Sequence, residues 1–375
     1  MSKLILTRYL YIYDEVIISL ITELLTKSDI NACYFWLSEI YYSGFVNQAF
    51  ELIWFIYYDF YYIHNPDFES FIHKKNNIHN FKNLVTIIKN LFKMKSSSHV
   101  YLTRLYNSAF KNDKIKDTFR GRKPQWLSKI PLKYHKLFRF IHSNKLHLAS
   151  ISVPETIDCE LFESIQIYFN LSKDTIEQYK TNIFDTHYDN INHKLWAFIC
   201  ILLFNFQHFD SNIHFKKKIY MALGKEEYEN ILNYNYDHNN QYTNNILPYK
   251  ILESFRKYTI NPLCKSFQLT RYLYDNIDLH INFNWQFYAY KCPLWRERFD
   301  KFKAICDNDN EIITFENDDL LEEFYSYYGY NPDEQIIETQ LKSYVNSSDN
   351  WTCWYVNIFK EKSIYEFSND FKLIY

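Results

Sequence analysis

The chain has 375 residues and a formal charge of −2 at pH 7, with 20% aromatic and 23% charged residues. That length supports a substantial core in one to three domains, and so many rings beside so moderate a charge exclude intrinsic disorder of the high-charge, low-hydrophobicity kind. Only four glycines are present, Gly44, Gly121, Gly224 and Gly329, which argues against Rossmann and P-loop domains, because phosphate cradles need glycine for positive φ and close backbone approach.

In chain order, the first amphipathic helix is predicted from Tyr9 to Leu25, where Val16, Ile17, Leu20, Ile21 and Leu24 recur at three- and four-residue spacing. Its flank, with Arg8 and a Tyr-rich continuation, lacks the apolar run and cleavage site of a secretory leader. Ser28 or Asp29 caps a second helix through Trp36 and Ile40 that ends at Gly44. Residues 48–62 are apolar on nearly every side except at Glu51 and Asp59, which predicts a helix enclosed by others. Asn65 and Pro66, with Asp67 and Glu69 in the first turn, start a fourth helix. Ile78, Phe81, Val85, Ile88 and Phe92 form one stripe of a basic helix over 77–93, and Tyr101, Leu105 and Phe110 indicate another. Gly121, Pro124 and Pro131 then interrupt regular structure, so FRGRKP at 119–124 belongs to a loop.

Helical spacing resumes over 133–148, and a junction follows at 150–154, where the charge changes sign and Pro154 restrains the backbone. The junction divides an N-terminal helical region, 1–149, from an acidic helical region, 150–375, the two being separate or continuous. Further helices are predicted at 158–170, 173–182, 190–207, 213–223 closed by Gly224, 247–259, 265–276, 281–290, 294–304 and 318–328, with short strands at 311–315 and 354–359. The apolar run at 195–206 falls short of the roughly 20 residues that span a bilayer, so it reads as a buried helix. The expected fold is mainly α, an irregular multi-helical or helical-array fold with at most minor β elements.

Charge is unevenly spread along this framework. Residues 74–145 hold eighteen Lys or Arg against two acids, Asp113 and Asp117, and the remainder of the chain is acidic. Such polarity suits either contact with a polyanion or neutralisation of one part of the chain by another. Arg120, Arg122 and Lys123 make the sharpest candidate, since guanidinium groups on a loop can fork onto phosphate oxygens. Phe119 or Trp126 could stack a base, or could anchor the loop in the core. Lys111, Lys114, Lys116, Lys129, Lys133, Lys136 and Arg139 extend the same field into a groove without base readout. The segment from Glu311 to Glu338 is acidic and has no Lys or Arg; it could dock on a basic partner, on a second copy or on residues 74–145.

Catalytic signatures are weak. Glu39, Glu51, Asp59 and Glu69 lie on different predicted helices without a partnered metal pattern, and Asp59 inside IWFIYYDFYY reads as a buried hydrogen-bonding group, as does Glu51. His135 and His142 share a helix seven residues apart, His208 and His214 straddle a break, His187 and His193 read as structural or surface residues, and no HExxH string occurs. The seven cysteines are too widely spaced for a zinc knuckle or redox pair and read as intracellular thiols. No cofactor and no metal are expected.

The strings YLYIYDEVIISLITELL, FWLSEIYYSGF and IYYDFYYIHNPDFESFIHKK, together with RGRKPQWL and YKCPLWRERF, resemble an uncharacterised protein family of large cytoplasmic DNA viruses, the mimivirus-like giant viruses. The resemblance covers most of the chain and carries no catalytic residue with it. It implies an intracellular viral protein of the host cytoplasm or viral factory, or of the virion interior. The expected function is a noncatalytic adaptor or scaffold with viral protein partners, in contact with RNA or DNA through the basic segment and with no membrane. A nucleic-acid-processing enzyme and a virion-internal structural protein are the alternatives.

Overall fold

The computed structural model describes residues 5–8, 11, 13–27, 29–101, 103–104, 124–154, 157–184, 188–204, 220–235, 285–328, 366–367 and 373–374. These form a predominantly helical fold with two small antiparallel hairpins, β1 (Ile305–Asp307) with β2 (Ile312–Thr314) and β3 (Glu366–Phe367) with β4 (Leu373–Ile374).

Helix α1 (Tyr13–Thr26) buries Val16, Ile17, Leu20, Ile21 and Leu24 against α2 (Ile30–Tyr42), as their spacing predicts. Asp29 caps α2 by accepting a hydrogen bond from the Asn31 N–H at 2.8 Å, which satisfies one of the free donors of the first turn. Gly44 follows α2 with φ +92°, and a Cβ there would sit 2.6 Å from Cβ of Pro293, so both conformation and space require glycine. Helix α3 (Val46–Ile56) then runs into a π-helical turn, Tyr57–Tyr61, with every residue from Leu52 to Ile63 buried. The widened turn rotates the chain so that an all-round apolar run can face several neighbours. Its tyrosine tips all find acceptors: Tyr57 donates to the Asn65 carbonyl (2.9 Å), Tyr58 to Glu69 (2.7 Å) and Tyr61 to the Leu24 carbonyl (3.1 Å).

Helices α4 (Phe68–Asn76) and α5 (Phe81–Lys93) complete the first layer. The basic helix begins at Phe81 rather than at 77, because Asn80 caps it onto the Asn83 N–H at 2.9 Å; Ile78, expected on its apolar stripe, is therefore 65% exposed. Two 3₁₀ turns, Gln125–Lys129 and Leu132–Tyr134, lead into α6 (His135–His142) and α7 (Leu146–Ile151), so the helix expected over 133–148 is broken at Asn144, whose φ is +55°. Helices α8 (Cys159–Phe169), α9 (Lys173–Ile183) and α10 (Ile191–Phe204) follow as expected, the last buried from Leu195 to Leu202. Gly224 does not close a helix: residues 220–224 are not helical, and α11 (Lys225–Asn235) starts after it, with Glu227 accepting from the Gly224 N–H at 3.2 Å. Helix α12 (Pro293–Lys301), the first hairpin and α13 (Asp318–Tyr328) form the last block. The strand expected at 311–315 is present as β2, and its partner β1 lies just past the shortened end of α12.

One hydrophobic cluster runs from Leu6 to Phe324 and includes residues on both sides of 150–154. The late block is tied to the amino-terminal segment: Trp295 Nε1 donates to the Thr7 carbonyl (3.0 Å), and the Leu294 N–H and Cys292 Sγ both reach the Ser43 carbonyl. No described helix is long and apolar enough to cross a membrane. The helices expected at 247–259 and 265–276, the strand at 354–359, His187, His208 and His214 lie outside the described residues.

Candidate functional site

Arg120, Arg122 and Lys123, with Phe119, Lys111, Lys114 and Lys116, lie outside the described residues; the described part of the loop string begins at Pro124. From there to Lys145 the chain has no acid. Helix α6 buries Leu137, Phe138, Phe140 and Ile141, so its other stripe consists of His135, Lys136, Arg139 and His142, all of them basic side chains. Lys129 and Lys145 are exposed at either end of this stripe, and Leu132 beside it is 75% exposed. Trp126 is half-buried, its ring 5.1 Å from His142 and 5.0 Å from Tyr168, so it anchors the 3₁₀ turn on α8.

Lys133 is held in an ion-pair cluster with carboxylates. Its ammonium contacts Asp158 at 2.6 Å and Glu160 at 2.5 Å, at the start of α8. Asp158 also accepts from the Tyr134 hydroxyl and from the Leu161 N–H at 3.0 Å, as the cap of α8. Hydrogen bonding by Lys133, then by Tyr134, draws the Asp158 carboxyl down to about 2, while the same carboxylates hold the Lys133 ammonium above its ordinary range. Lys89 is likewise engaged, donating to Glu227 at 2.7 Å and to the Ala222 carbonyl at 3.1 Å. Two lysines of the basic segment thus neutralise carboxylates of the acidic part of the chain.

Arg104 is paired inside the fold. Asp59, on the π-turn, is fully buried and receives the Arg104 guanidinium as a fork, Nε at 2.9 Å and Nη2 at 2.6 Å. His193 Nε2 lies 2.8 Å from the same carboxylate, and its Nδ1 lies 2.8 Å from the Tyr188 hydroxyl. The Phe55 ring covers the guanidinium at 4.3 Å, and Trp54, Tyr58 and Tyr188 stack alongside. Burial opposes the charged form of Asp59, but Arg104 and His193 outweigh it and keep the carboxyl below its ordinary value. Burial lowers His193 despite Asp59: Arg104 already neutralises the carboxylate, so a proton on the imidazole would add an uncompensated charge to the core.

The sequence marks Asp59 as a buried hydrogen-bonding group, and that is its position. Glu51, expected to behave similarly, is exposed, because it lies on the outer side of α3. Glu39 is buried and pairs with Arg8 Nε at 2.8 Å, with Thr7 donating to its other oxygen at 2.5 Å. The roles of Arg104, His193 and Arg8 escape the sequence because their partners are 31 to 134 positions away. Chemically, Tyr188, His193 and Asp59 form a hydrogen-bonded relay whose carboxylate is already forked by Arg104, with Tyr188 and Arg104 part-exposed at its outer side. Among the described residues no group of three or more His, Cys, Asp or Glu is placed to hold a metal ion. The chain matches no family model, no curated protein and no solved structure.

Proposed function

We propose that the protein is a noncatalytic adaptor or scaffold that contacts nucleic acid through its basic segment, within an intracellular viral complex of the host cytoplasm or viral factory. The acid-free basic stripe of α6 carries this reading: His135, Lys136, Arg139 and His142 share one side of a helix whose other side is anchored in the core. Lys129 and Lys145 extend the stripe, and the loop with Arg120, Arg122 and Lys123 adjoins it in sequence. Lysine and arginine side chains carried on one such framework position phosphates without reading bases, and their affinity comes from released counterions. The setting rests on the resemblance to the giant-virus family. The noncatalytic part is supported by the pairing of the buried Asp59 and Glu39 carboxylates, each already matched by an arginine.

The test replaces Lys129, Lys136 and Arg139 together with Ala and measures binding to single- and double-stranded RNA and DNA over a range of salt. The expected result is weaker binding to every nucleic acid tested, with a log–log salt slope shallower by about two to three, an unchanged helical spectrum and little change in thermal transition. Equal affinity of variant and wild type at all salt concentrations overturns the nucleic-acid reading. Copurification of a defined viral complex with the wild-type chain, retained by the triple variant, isolates the scaffold role from nucleic-acid contact.

A further inference from the structure

The basic stripe of α6 ends beside a group of rings that phosphate contact leaves unused. Trp126 of the first 3₁₀ turn, His142 at the end of α6 and Tyr168 near the end of α8 have ring centroids 5.0 to 6.4 Å apart. Tyr168 stands at 69° to Trp126 and at 84° to His142, and His142 is tilted at 45° to Trp126. Among the described residues, therefore, no ring lies parallel to Trp126 or His142, and their faces are not taken up by stacking within the protein. The group is held from below, because Tyr168 packs at 5.1 Å on the fully buried Phe138. It also reaches solvent: His142 is exposed and Trp126 half-buried, whereas the ring groups around Tyr58 and Trp295 are buried in the core.

Cations flank these rings. Arg139 lies one turn before His142 on the same side of α6. Trp126 and Lys129 share one side of their turn, because a 3₁₀ helix repeats every three residues, and the exposed Lys145 follows His142. The stripe itself is short. At 1.5 Å per residue, His135 to His142 spans roughly 10 Å, so it meets few phosphates, and counterion release from so few contacts gives weak binding by itself. Stacking a base on an aromatic ring strengthens binding by about tenfold or more. In a duplex the base faces are covered by their neighbours, and only a single strand offers them to a ring on a protein surface. We infer that the α6 surface takes single-stranded nucleic acid, its phosphates on Lys129, Arg139 and Lys145 and an unpaired base stacked on the Trp126–His142 cluster. The inference rests on the phosphate contact proposed for this helix and adds the class of strand. RNA and DNA strands both carry that chemistry.

The test titrates the full-length protein with an oligothymidylate, an oligouridylate, an abasic deoxyribose-phosphate strand and a duplex, all of one length and at one salt concentration. It reads the anisotropy of a label on the nucleic acid and the tryptophan emission of the protein. The expected result is that both base-bearing single strands bind about tenfold or more tightly than the abasic strand and the duplex, and that only they quench the emission. Trp126→Leu, which keeps an apolar side chain against Tyr168, lowers affinity for the oligothymidylate about fivefold or more and leaves that for the abasic strand unchanged. Trp126→Phe retains most of the affinity and loses the quenching. The wild-type comparison of base-bearing and abasic strands stands whether or not Trp126→Leu folds. Tighter binding of the oligouridylate assigns the surface to RNA, and the reverse order assigns it to DNA. Equal affinity for the oligothymidylate and the abasic strand, a duplex bound as tightly as the single strands, or equal losses for Trp126→Leu on base-bearing and abasic strands overturns the inference and leaves the phosphate contact standing. Failure of all four to bind removes the phosphate contact itself, and the inference with it.

Discussion

Two cations of the same basic segment, Arg104 and Lys133, make ion pairs of the same length, 2.6 Å, in opposite environments. Arg104 meets a carboxylate with no solvent exposure, within a shell of Phe55, Trp54, Tyr58 and Tyr188. Lys133 is half exposed, as are its partners Asp158 and Glu160. The distance is therefore a poor guide to what each pair contributes. Asp59 has no contact with water and Arg104 keeps only a 16% exposed edge, so removing one leaves the other poorly compensated. At the surface, water and salt replace a lost partner within the same solvent shell. The first pair joins the π-turn to α10 through His193, and the second caps a helix.

The largest effect should come from removing the buried carboxylate from the part-buried arginine. Asp59→Ala is expected to cost about 3–5 kcal/mol in urea denaturation followed by circular dichroism, and combining it with Arg104→Met should recover part of that loss. A double variant no more stable than Asp59→Ala would mean that Arg104 is not the charge left poorly compensated, and the contrast between the two pairs would fail.

Acid should separate the regions next. Burial lowers the proton affinity of His193 in the folded chain, and burial followed by the field of His64 lowers His99 to about 4. Both imidazoles take up protons more readily when unfolded, so stability is full above the unfolded value of about 6.5 and declines as pH falls toward the folded values, by about 1.4 kcal/mol per unit of depression. His193→Gln should flatten this dependence between pH 7 and 5. Asp59 adds its own loss only below its ordinary carboxylate range, since its folded value is the lower one. A stability profile flat from pH 7 to 4 would contradict the burial of both histidines.

Smaller effects belong to the exposed cluster. Asp158→Ala should cost about 1 kcal/mol through loss of the α8 cap, while Asp158→Asn, which keeps a capping oxygen, should restore most of it. Lys133→Ala should change the thermal midpoint least, with any change vanishing at high salt. A midpoint shift for Lys133→Ala as large as that for Asp59→Ala would erase the difference between the core pair and the surface pair.

The helices were legible because apolar side chains at three- and four-residue spacing can be satisfied by one structure, and capping residues mark where it begins; α1, α2, α8 and α9 follow those local rules closely. Misreadings arose where two local signals competed. Ile78 continues the apolar stripe of α5, but the Asn80 cap sets the boundary, and the glycine at 224 reads equally well as the end of one helix or the approach to the next. The basic segment was visible as composition, since charge counts need no coordinates.

Which of its cations are spent internally was decided by tertiary structure alone. Lys89, Arg104 and Lys133 look like Lys129 in the sequence, yet they meet Glu227, Asp59 and Asp158 across 138, 45 and 25 positions. The ring cluster of Trp126, His142 and Tyr168 has the same origin, joining three elements whose aromatics look like ordinary core residues in the sequence. Helix formation is governed by neighbours within a turn or two, so the sequence by itself determined the helical class and its caps. The pairing of charges, the burial of Asp59 and the meeting of Trp126 with His142 and Tyr168 depend on which helices pack together, and packing is settled by the shapes of distant side chains that no local spacing encodes.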